Sequence, residues 1–147
     1  MKALRRPDNH LSAKEWTERR ALLYSRCSGL CEVRSSDCIA ADGMLESGRM
    51  SVQHRRAQGA GGTDLDTAHD LSNLLFVCGD GTTGCHGWIE TQRRGEAEAL
   101  GAWIRHTTDG TGRPVPAELY PVRIGGGAWR ALHPFAAVYG DLPLRLR

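Results

Sequence analysis

Four of the five cysteines in this 147-residue chain form two pairs with the same spacing. Six residues separate Cys31 from Cys38, and six separate Cys78 from Cys85. Both intervals are rich in small and polar residues, which allow a chain to turn back and point two thiolates at one ion. Structural Zn²⁺ takes four soft ligands in a tetrahedron, from two such turns. The pattern predicts a four-cysteine zinc site; the alternative is a set of unliganded core cysteines.

The fifth cysteine, Cys27, has two interpretations. It could replace Cys31 or Cys38 as a ligand, or it could be a buried or free thiol near the end of a helix. The first residues contain no apolar stretch of signal-peptide length, and no apolar run approaches the roughly 20 residues that cross a bilayer. We therefore expect a cytoplasmic protein without membrane contact, in a compartment where metal binding explains cysteines better than disulfides do.

The elements that must position these cysteines are predicted from local patterns. Ser12 followed by Glu15 is a capping-box signal, and the next residues without Pro or Gly indicate a helix over 13–26. Apolar runs between turn residues indicate short strands, and a helical period resumes after the second cysteine pair despite Gly87. The remaining predicted elements are strands over 50–54 and 74–77, a helix from Cys85, and a terminal hairpin of 120–124 with 128–132. Trp129 and Phe135 are expected in a small core within this tail.

Polar residues at the ends of these elements follow the order histidine, asparagine, histidine. His54 ends the first predicted strand, Asn73 opens the second, and His86 follows the last cysteine. With the segments QHRR (53–56), GG (61–62), LSNLL (71–75) and CHGWIE (85–90), this order resembles the HNH endonuclease family. The resemblance covers about residues 26–94. Within the family, this segment resembles the small HNH proteins of actinobacterial bacteriophages. It implies an α+β fold, with a ββα-metal, treble-clef-like finger, an N-terminal helix and a small C-terminal β-hairpin.

The resemblance also implies roles for the polar residues. His54 matches the general base of phosphodiester hydrolysis, and His86 matches a metal-binding histidine on the helix. Glu90, one helical turn after His86, would add a carboxylate that suits Mg²⁺ or Mn²⁺, with Zn²⁺ or Ni²⁺ as alternatives. Glu90 could equally be a solvated helix residue. Asn73 would fix the loop that carries the base or contact the metal, and a simple cap residue would look the same.

Gln53 departs from the family pattern. The residue before the base is usually Asp or His and ligates the catalytic metal, whereas glutamine offers only a neutral amide oxygen. Three interpretations remain open: Gln53 is a poor ligand, a loop carboxylate of Asp64, Asp66 or Asp70 replaces it, or the site is impaired. His69 fits the family's linker before Asn73 better than it fits a ligand.

Charge points to no function by itself. The chain has 19 basic and 17 acidic side chains, and almost all of the basic ones are arginines, which form forked hydrogen bonds to phosphate. We expect Arg55 and Arg56 to contact a DNA backbone, with salt-dependent binding that is largely independent of sequence. Their alternative interpretation is solvated surface charge.

These features together predict a metal-dependent endonuclease that nicks or cuts double-stranded DNA. The resemblance divides the chain into a helical arm (1–30), an HNH nuclease domain (31–106) and a linker with a β-rich tail (107–147). It further suggests a phage protein that acts with the large terminase subunit in DNA packaging. The alternatives are a non-catalytic zinc-stabilised DNA-binding module and an HNH effector of host restriction or defence.

Overall fold

The first helix, α1 (Ala13–Cys27), begins and ends close to its predicted limits. In this computed structural model, residues 10–40, 43–56, 67–92, 94–105 and 110–142 are described. The Ser12 hydroxyl accepts from the Glu15 amide, and the Glu15 carboxylate accepts from the Ser12 amide, so the predicted capping box is present. Leu23 is buried and Trp16 packs against the core, so these two residues, seven positions apart, lie on one face of α1.

A two-stranded antiparallel sheet lies at the centre of the chain. Strand β1 (Met50–His54) pairs with β2 (Leu74–Cys78) in a register that sets Met50 opposite Cys78 and His54 opposite Leu74. β2 is buried along its whole length, as its uninterrupted apolar sequence predicts. Four residues named in the sequence analysis lie outside the described residues: Gly61 and Gly62 of the family motif, and the loop carboxylates Asp64 and Asp66.

The helical segment after β2 starts at the predicted position but changes its winding. It runs as α2 (Gly84–Gly87), a π turn (Trp88–Gln92) and α3 (Arg94–Ala99). Gly87 is required within it, because a Cβ at this position would lie 2.5 Å from the Thr82 carbonyl carbon. A π turn widens the helix and is often found at functional sites.

The tail forms a second, three-stranded sheet. Its strands are β3 (Val122–Arg123), β4 (Trp129–Leu132) and β5 (Tyr139–Gly140), paired antiparallel in that order. The predicted hairpin is present, and β5 was not predicted. Trp129 and Phe135 are respectively 41% and 74% exposed. The expectation that they fill a small core is therefore wrong, because the buried tail residues include Val122 and Leu132 instead.

One hydrophobic core contains residues of all three predicted segments, which are the helical arm, the central domain and the tail. Leu23 of α1, Phe76 of β2 and Leu132 of β4 belong to the same buried cluster. A buried ion pair joins Arg26 to Glu32, and the Tyr139 hydroxyl donates to the same carboxylate at 2.7 Å. The protein is thus a mixed structure of helices and small sheets whose tail packs on the central sheet. No helix among the described residues is long and apolar enough to span a membrane.

Candidate metal centre and candidate active site

The four cysteines of the two predicted pairs meet at one point. Their Sγ atoms all lie within 4.8 Å of one another, and those of Cys38 and Cys78 are 3.7 Å apart. A tetrahedral Zn²⁺ with Zn–S bonds of about 2.3 Å places its sulfurs about 3.8 Å apart. Soft thiolates at this spacing suit such an ion. Cys31, Cys38, Cys78 and Cys85 can therefore hold a metal ion such as zinc.

Main-chain amides point at three of these sulfurs. The Cys78 amide donates to Cys31 Sγ at 3.4 Å, and the Cys85 amide donates to Cys78 Sγ at 3.3 Å. The Ser35 amide donates to Cys85 Sγ at 3.2 Å, and the Ser35 hydroxyl lies equally close. Donors that face a sulfur favour its thiolate form, which is the form that binds metal. The backbone around the cluster is therefore arranged for anionic sulfur.

The turn between the second pair of cysteines is built by short-range contacts. Gly79 has a φ of 82°, and a Cβ there would lie 2.1 Å from the Thr83 carbonyl oxygen. The Asp80 carboxylate accepts from the amides and hydroxyls of Thr82 and Thr83, at 2.9 to 3.0 Å. These hydrogen bonds lower the pKa of Asp80 to about 2. The turn thus closes on itself and brings Cys85 back towards Cys78.

Cys27 stands apart from the cluster. It is the last residue of α1, and its buried thiol donates to the Tyr24 carbonyl at 3.6 Å. Burial raises the pKa of Cys27 to about 11, so the thiol is neutral at physiological pH. This position agrees with the interpretation of Cys27 as a buried thiol at a helix end.

Polar side chains of β1, of the turn before β2 and of the helical segment form a second linked group. We call it the histidine cleft; its members are Ser51, Gln53, His54, His69, His86 and Glu90. Ser51 and Gln53 are alternate residues of β1 and so share one face of the strand. His86 and Glu90 lie on α2 and the following π turn. The cleft joins the end of β1 to the start of the helical segment.

Ser51 orients His86. The Ser51 hydroxyl donates its one hydrogen to the Gly79 carbonyl at 2.7 Å, and its oxygen lies 2.6 Å from His86 Nδ1. Nδ1 must then carry the proton and donate, which leaves the lone pair of a neutral imidazole on Nε2. Burial lowers the pKa of His86, although Glu90 and Asp80 oppose this effect. His86 is thus held in the form that binds a cation through Nε2.

Gln53 is fully buried next to Glu90. Its amide nitrogen donates to Glu90 Oε1 at 3.0 Å and to the His54 carbonyl at 2.8 Å. Gln53 Oε1 is also buried, and it has no hydrogen-bond partner among the described residues. A buried acceptor without a partner costs free energy unless a donor or a cation reaches it. The amide oxygen that the sequence analysis considered as a ligand is therefore present and unsatisfied at the cleft.

His54 contacts two other aromatic rings. Its Nε2 is 3.0 Å from Nδ1 of His69, and Trp16 of α1 meets both imidazoles edge-on. Burial lowers the pKa of His54 to about 4, and the neighbouring His69 and His86 contribute to this shift. The imidazole is therefore neutral at physiological pH. His69, which was expected in a linker rather than as a ligand, is a member of the cleft.

Asn73 joins the two ends of the loop between β1 and β2. Its Oδ1 accepts from the Arg56 amide at 2.9 Å, and its Nδ2 donates to the Ala68 carbonyl at 2.9 Å. Both ends of the side-chain amide therefore bond the main chain. This arrangement agrees with the interpretation in which Asn73 fixes the loop that carries the proposed base.

Arg55 does not lie on the surface. It is fully buried, and its guanidinium donates to the carbonyls of Gly101, Ser72, Ala117 and Tyr120. Burial lowers its pKa to about 9, which still leaves it cationic at neutral pH. The expectation that Arg55 contacts a DNA backbone must be corrected, because this cation holds the tail on the central sheet.

Arg56 requires the same correction. It is 6% exposed, and its guanidinium donates to the Val115 carbonyl. Its interior position leaves little of the side chain for a phosphate.

Two residues at these sites were not identified from the sequence, and a third, His69, was assigned to a linker. Ser35 contacts the sulfur of Cys85, Ser51 contacts the imidazole of His86, and His69 bonds the predicted base. The alternation of Ser51 with Gln53 along a strand is a signal that could have identified Ser51. No comparable signal exists for Ser35 or His69, whose partners are distant in sequence.

Comparison with known proteins found no relative of this chain. No family model matches the chain, and neither a curated protein nor a solved structure matches it significantly.

Proposed function

We propose that this protein is a metal-dependent DNA endonuclease of the HNH type. One observation carries the proposal: His54, at the end of β1, is close enough to His86 for their charges to interact, and the preceding Gln53 hydrogen-bonds Glu90 of the same helical segment. An antiparallel strand pair followed by a helix is the arrangement that the family's ββα-metal finger would have. Asn73, the middle residue of the motif, ties the connecting loop.

In this proposal His54 is the general base. Its neutral imidazole takes a proton from water as the water oxygen bonds to phosphorus. The bond from phosphorus to the 3′ oxygen breaks, and that oxygen takes a proton from solvent, leaving a 5′ phosphate and a 3′ hydroxyl. The negative charge of a bound phosphate would raise the pKa of His54 towards neutrality, where a base is most effective.

The cleft also has the donors for a divalent cation such as Mg²⁺ or Mn²⁺. His86 would bind it through Nε2, Glu90 through its carboxylate and Gln53 through the unsatisfied Oε1. When bound, such a cation would neutralise charge on the phosphoryl group and on the departing 3′ oxygen. Ser51 would keep the His86 ring oriented, and the buried wall around Gln53 would limit access of water.

The DNA contacts are proposed to lie on basic residues that reach solvent, one partly exposed and one exposed, rather than on Arg55 and Arg56. Arg19 is one helical turn after Trp16, which contacts His54, and Arg49 is an exposed residue directly before β1. Arg19 therefore lies near the proposed base, whereas Arg49 lies at the opposite end of β1 from His54. They would provide phosphate contacts that position the duplex without reading its sequence. Action with a phage terminase in DNA packaging is a further proposal, which rests on the resemblance.

A second candidate function is a non-catalytic zinc-stabilised DNA-binding module. It is favoured by the contact between Gln53 and Glu90, in which an amide donor satisfies the carboxylate without a cation. The cysteine cluster would then stabilise a fold whose cleft has no catalytic metal. An HNH effector of host defence differs from the main proposal only in its biological context.

Cleavage of supercoiled plasmid by the purified protein tests the proposal. The reaction is run with Mg²⁺, Mn²⁺ or EDTA, and the zinc content is measured in each case so that loss of the structural ion is recognised. We expect nicked or linear product with a divalent cation, none with EDTA, and a rate at least about 100-fold lower for His54→Ala. His10→Ala, which changes an exposed histidine, should cleave at the wild-type rate.

Gln53→Asp, assayed in parallel, separates the two candidate functions. If the wild-type protein cleaves with none of the cations, the endonuclease proposal is wrong for this chain. Cleavage that appears only in Gln53→Asp would then support a degraded metal site and the DNA-binding module.

A further inference from the structure

We propose that His69 is a positioning residue, which holds His54 in the tautomer that can accept a proton through Nδ1. The inference rests on the proposed function, since it assigns a partner to the proposed base. His69 itself contacts neither substrate nor metal in this scheme. It acts through the imidazole of His54.

The contact between the two rings is a hydrogen bond. His54 Nε2 and His69 Nδ1 are 3.0 Å apart, the ring centroids are 5.1 Å apart, and the planes are inclined at 68°. Two nitrogens at this distance must share one hydrogen, because two facing lone pairs would repel each other. The tautomers of the two rings are therefore linked.

One of the two possible arrangements suits a base. If His54 Nε2 donates, both rings carry their hydrogen on Nε2, which is the tautomer that free histidine prefers. The lone pair of His54 is then on Nδ1. In the opposite arrangement both rings would carry the less favoured Nδ1 hydrogen, and the lone pair of His54 would be engaged by His69. We assign the first arrangement.

The position of His69 is set by contacts that do not involve His54. The Asp70 amide donates to the Thr67 carbonyl at 3.1 Å, which closes a turn around His69. The neighbouring Ala68 carbonyl accepts from the Asn73 side chain, and Trp16 packs edge-on to the His69 ring with centroids 5.0 Å apart. His69 is only 9% exposed. A ring held in this way can fix a second ring that bonds to it.

The same bond would strengthen during the reaction. When His54 takes a proton on Nδ1 it becomes an imidazolium, and its Nε2–H then donates as a charged group to a neutral acceptor. Such bonds are stronger than neutral ones, so His69 would stabilise the charged ring that forms during water attack. An interaction that grows as the reaction proceeds should affect kcat more than KM.

Three variants test the assignment: His69→Ala removes the acceptor, His69→Asn keeps a polar atom close to the place of Nδ1, and His10→Ala is the control. We measure kcat and KM for plasmid nicking, zinc content, and the ring-nitrogen NMR signals of His54. We expect His69→Ala to lower kcat about tenfold or more, with KM within about twofold of wild type. His69→Asn should recover most of this loss, and His54 should carry its hydrogen on Nε2 in the wild-type protein.

Three results would overturn the assignment: wild-type kcat in His69→Ala, no recovery in His69→Asn, or a hydrogen on Nδ1 of His54 in the wild-type protein. Failure of the proposed function looks different, because the wild-type protein itself would then not cleave. In that case the NMR signals still decide whether His69 fixes the tautomer of His54.

Discussion

The cysteine cluster and the histidine cleft share the turn from Cys78 to His86, but their polar side chains find partners in different ways. In the cluster, four like side chains face one another, and main-chain amides point at their sulfurs. In the cleft, unlike side chains bond in pairs: Ser51 with His86, Gln53 with Glu90, and His54 with His69. Apart from the Oε1 atom of Gln53, these pairs do not need an ion, whereas four converging thiolates repel one another without one.

This difference has a consequence for folding and function. We expect the fold to depend on a cation in the cluster, because neutralising the sulfurs would be coupled to bringing the two turns together. A cation in the cleft would be optional for the fold and would compete with the Gln53 to Glu90 hydrogen bond. The cluster should therefore bind metal with high affinity and release it slowly. The cleft should bind metal with low affinity and release it readily.

Loss of the cluster should have the largest effect. We expect one zinc per chain, and we expect Cys38→Ala to lose the zinc and most of the folded structure, since structural zinc contributes on the order of 10 kcal/mol to folding. Metal analysis and circular dichroism measure both quantities. Cys27→Ala is the matched control: it removes a buried thiol outside the cluster and should keep the zinc. A folded, zinc-free Cys38→Ala protein would contradict the contrast between the two sites.

Loss of Arg55 should have the next largest effect. Arg55→Ala would leave the buried carbonyls of Ser72 and Gly101 and the partly buried carbonyl of Tyr120 without their donor, which should lower the free energy of unfolding by about 3 kcal/mol or more. Chemical denaturation measures the loss. Arg49→Ala removes an exposed arginine and should leave stability almost unchanged. If Arg55→Ala instead weakened DNA binding at unchanged stability, its interior position would be wrong.

Local signals predicted the elements on which both sites depend. The capping box of α1 and the alternating and apolar runs of β1 and β2 involve residues close in sequence, and each element lies within about one residue of its predicted limits. The repeated cysteine spacing predicted the cluster for the same reason, since each half of it is one turn. The change to a π turn after Gly87 and the two-residue strand β5 carry no comparable signal.

Contacts between distant residues explain what the sequence analysis missed. Arg55 looks like a surface arginine until Tyr120, 65 residues later, supplies a carbonyl that holds it in the interior. His69 bonds a ring 15 residues earlier, across a loop that no local pattern describes. Trp129 was assigned to a core by residue type alone, whereas the packing of β3 and β4 leaves it 41% exposed. The chemistry of the cleft thus depends on pairings that only the tertiary structure defines.

Removal of the Glu90 carboxylate should weaken metal binding in the cleft without affecting the cluster. We expect Glu90→Gln to lower Mn²⁺ affinity at least about tenfold while zinc content and folding remain those of the wild type, because Mn²⁺ prefers oxygen anions. Calorimetric titration of the zinc-loaded protein measures the affinity. Glu96→Gln, an exposed change in α3, is the control. Equal Mn²⁺ affinity in all three proteins would mean that Glu90 does not bind the ion.

The smallest effect is expected for Ser51→Ala, which removes the group that orients His86. Without the Ser51 oxygen, the His86 ring loses its partner at Nδ1, so both tautomers become accessible and Nε2 presents its lone pair only part of the time. Mn²⁺ affinity should fall by about tenfold or less, with zinc retained. Ser25→Ala, on the exposed face of α1, controls for loss of a hydroxyl. An unchanged affinity in Ser51→Ala would show that Ser51 supports the strand rather than the ligand, and the cleft would then depend on paired bonds less than the contrast with the cluster implies.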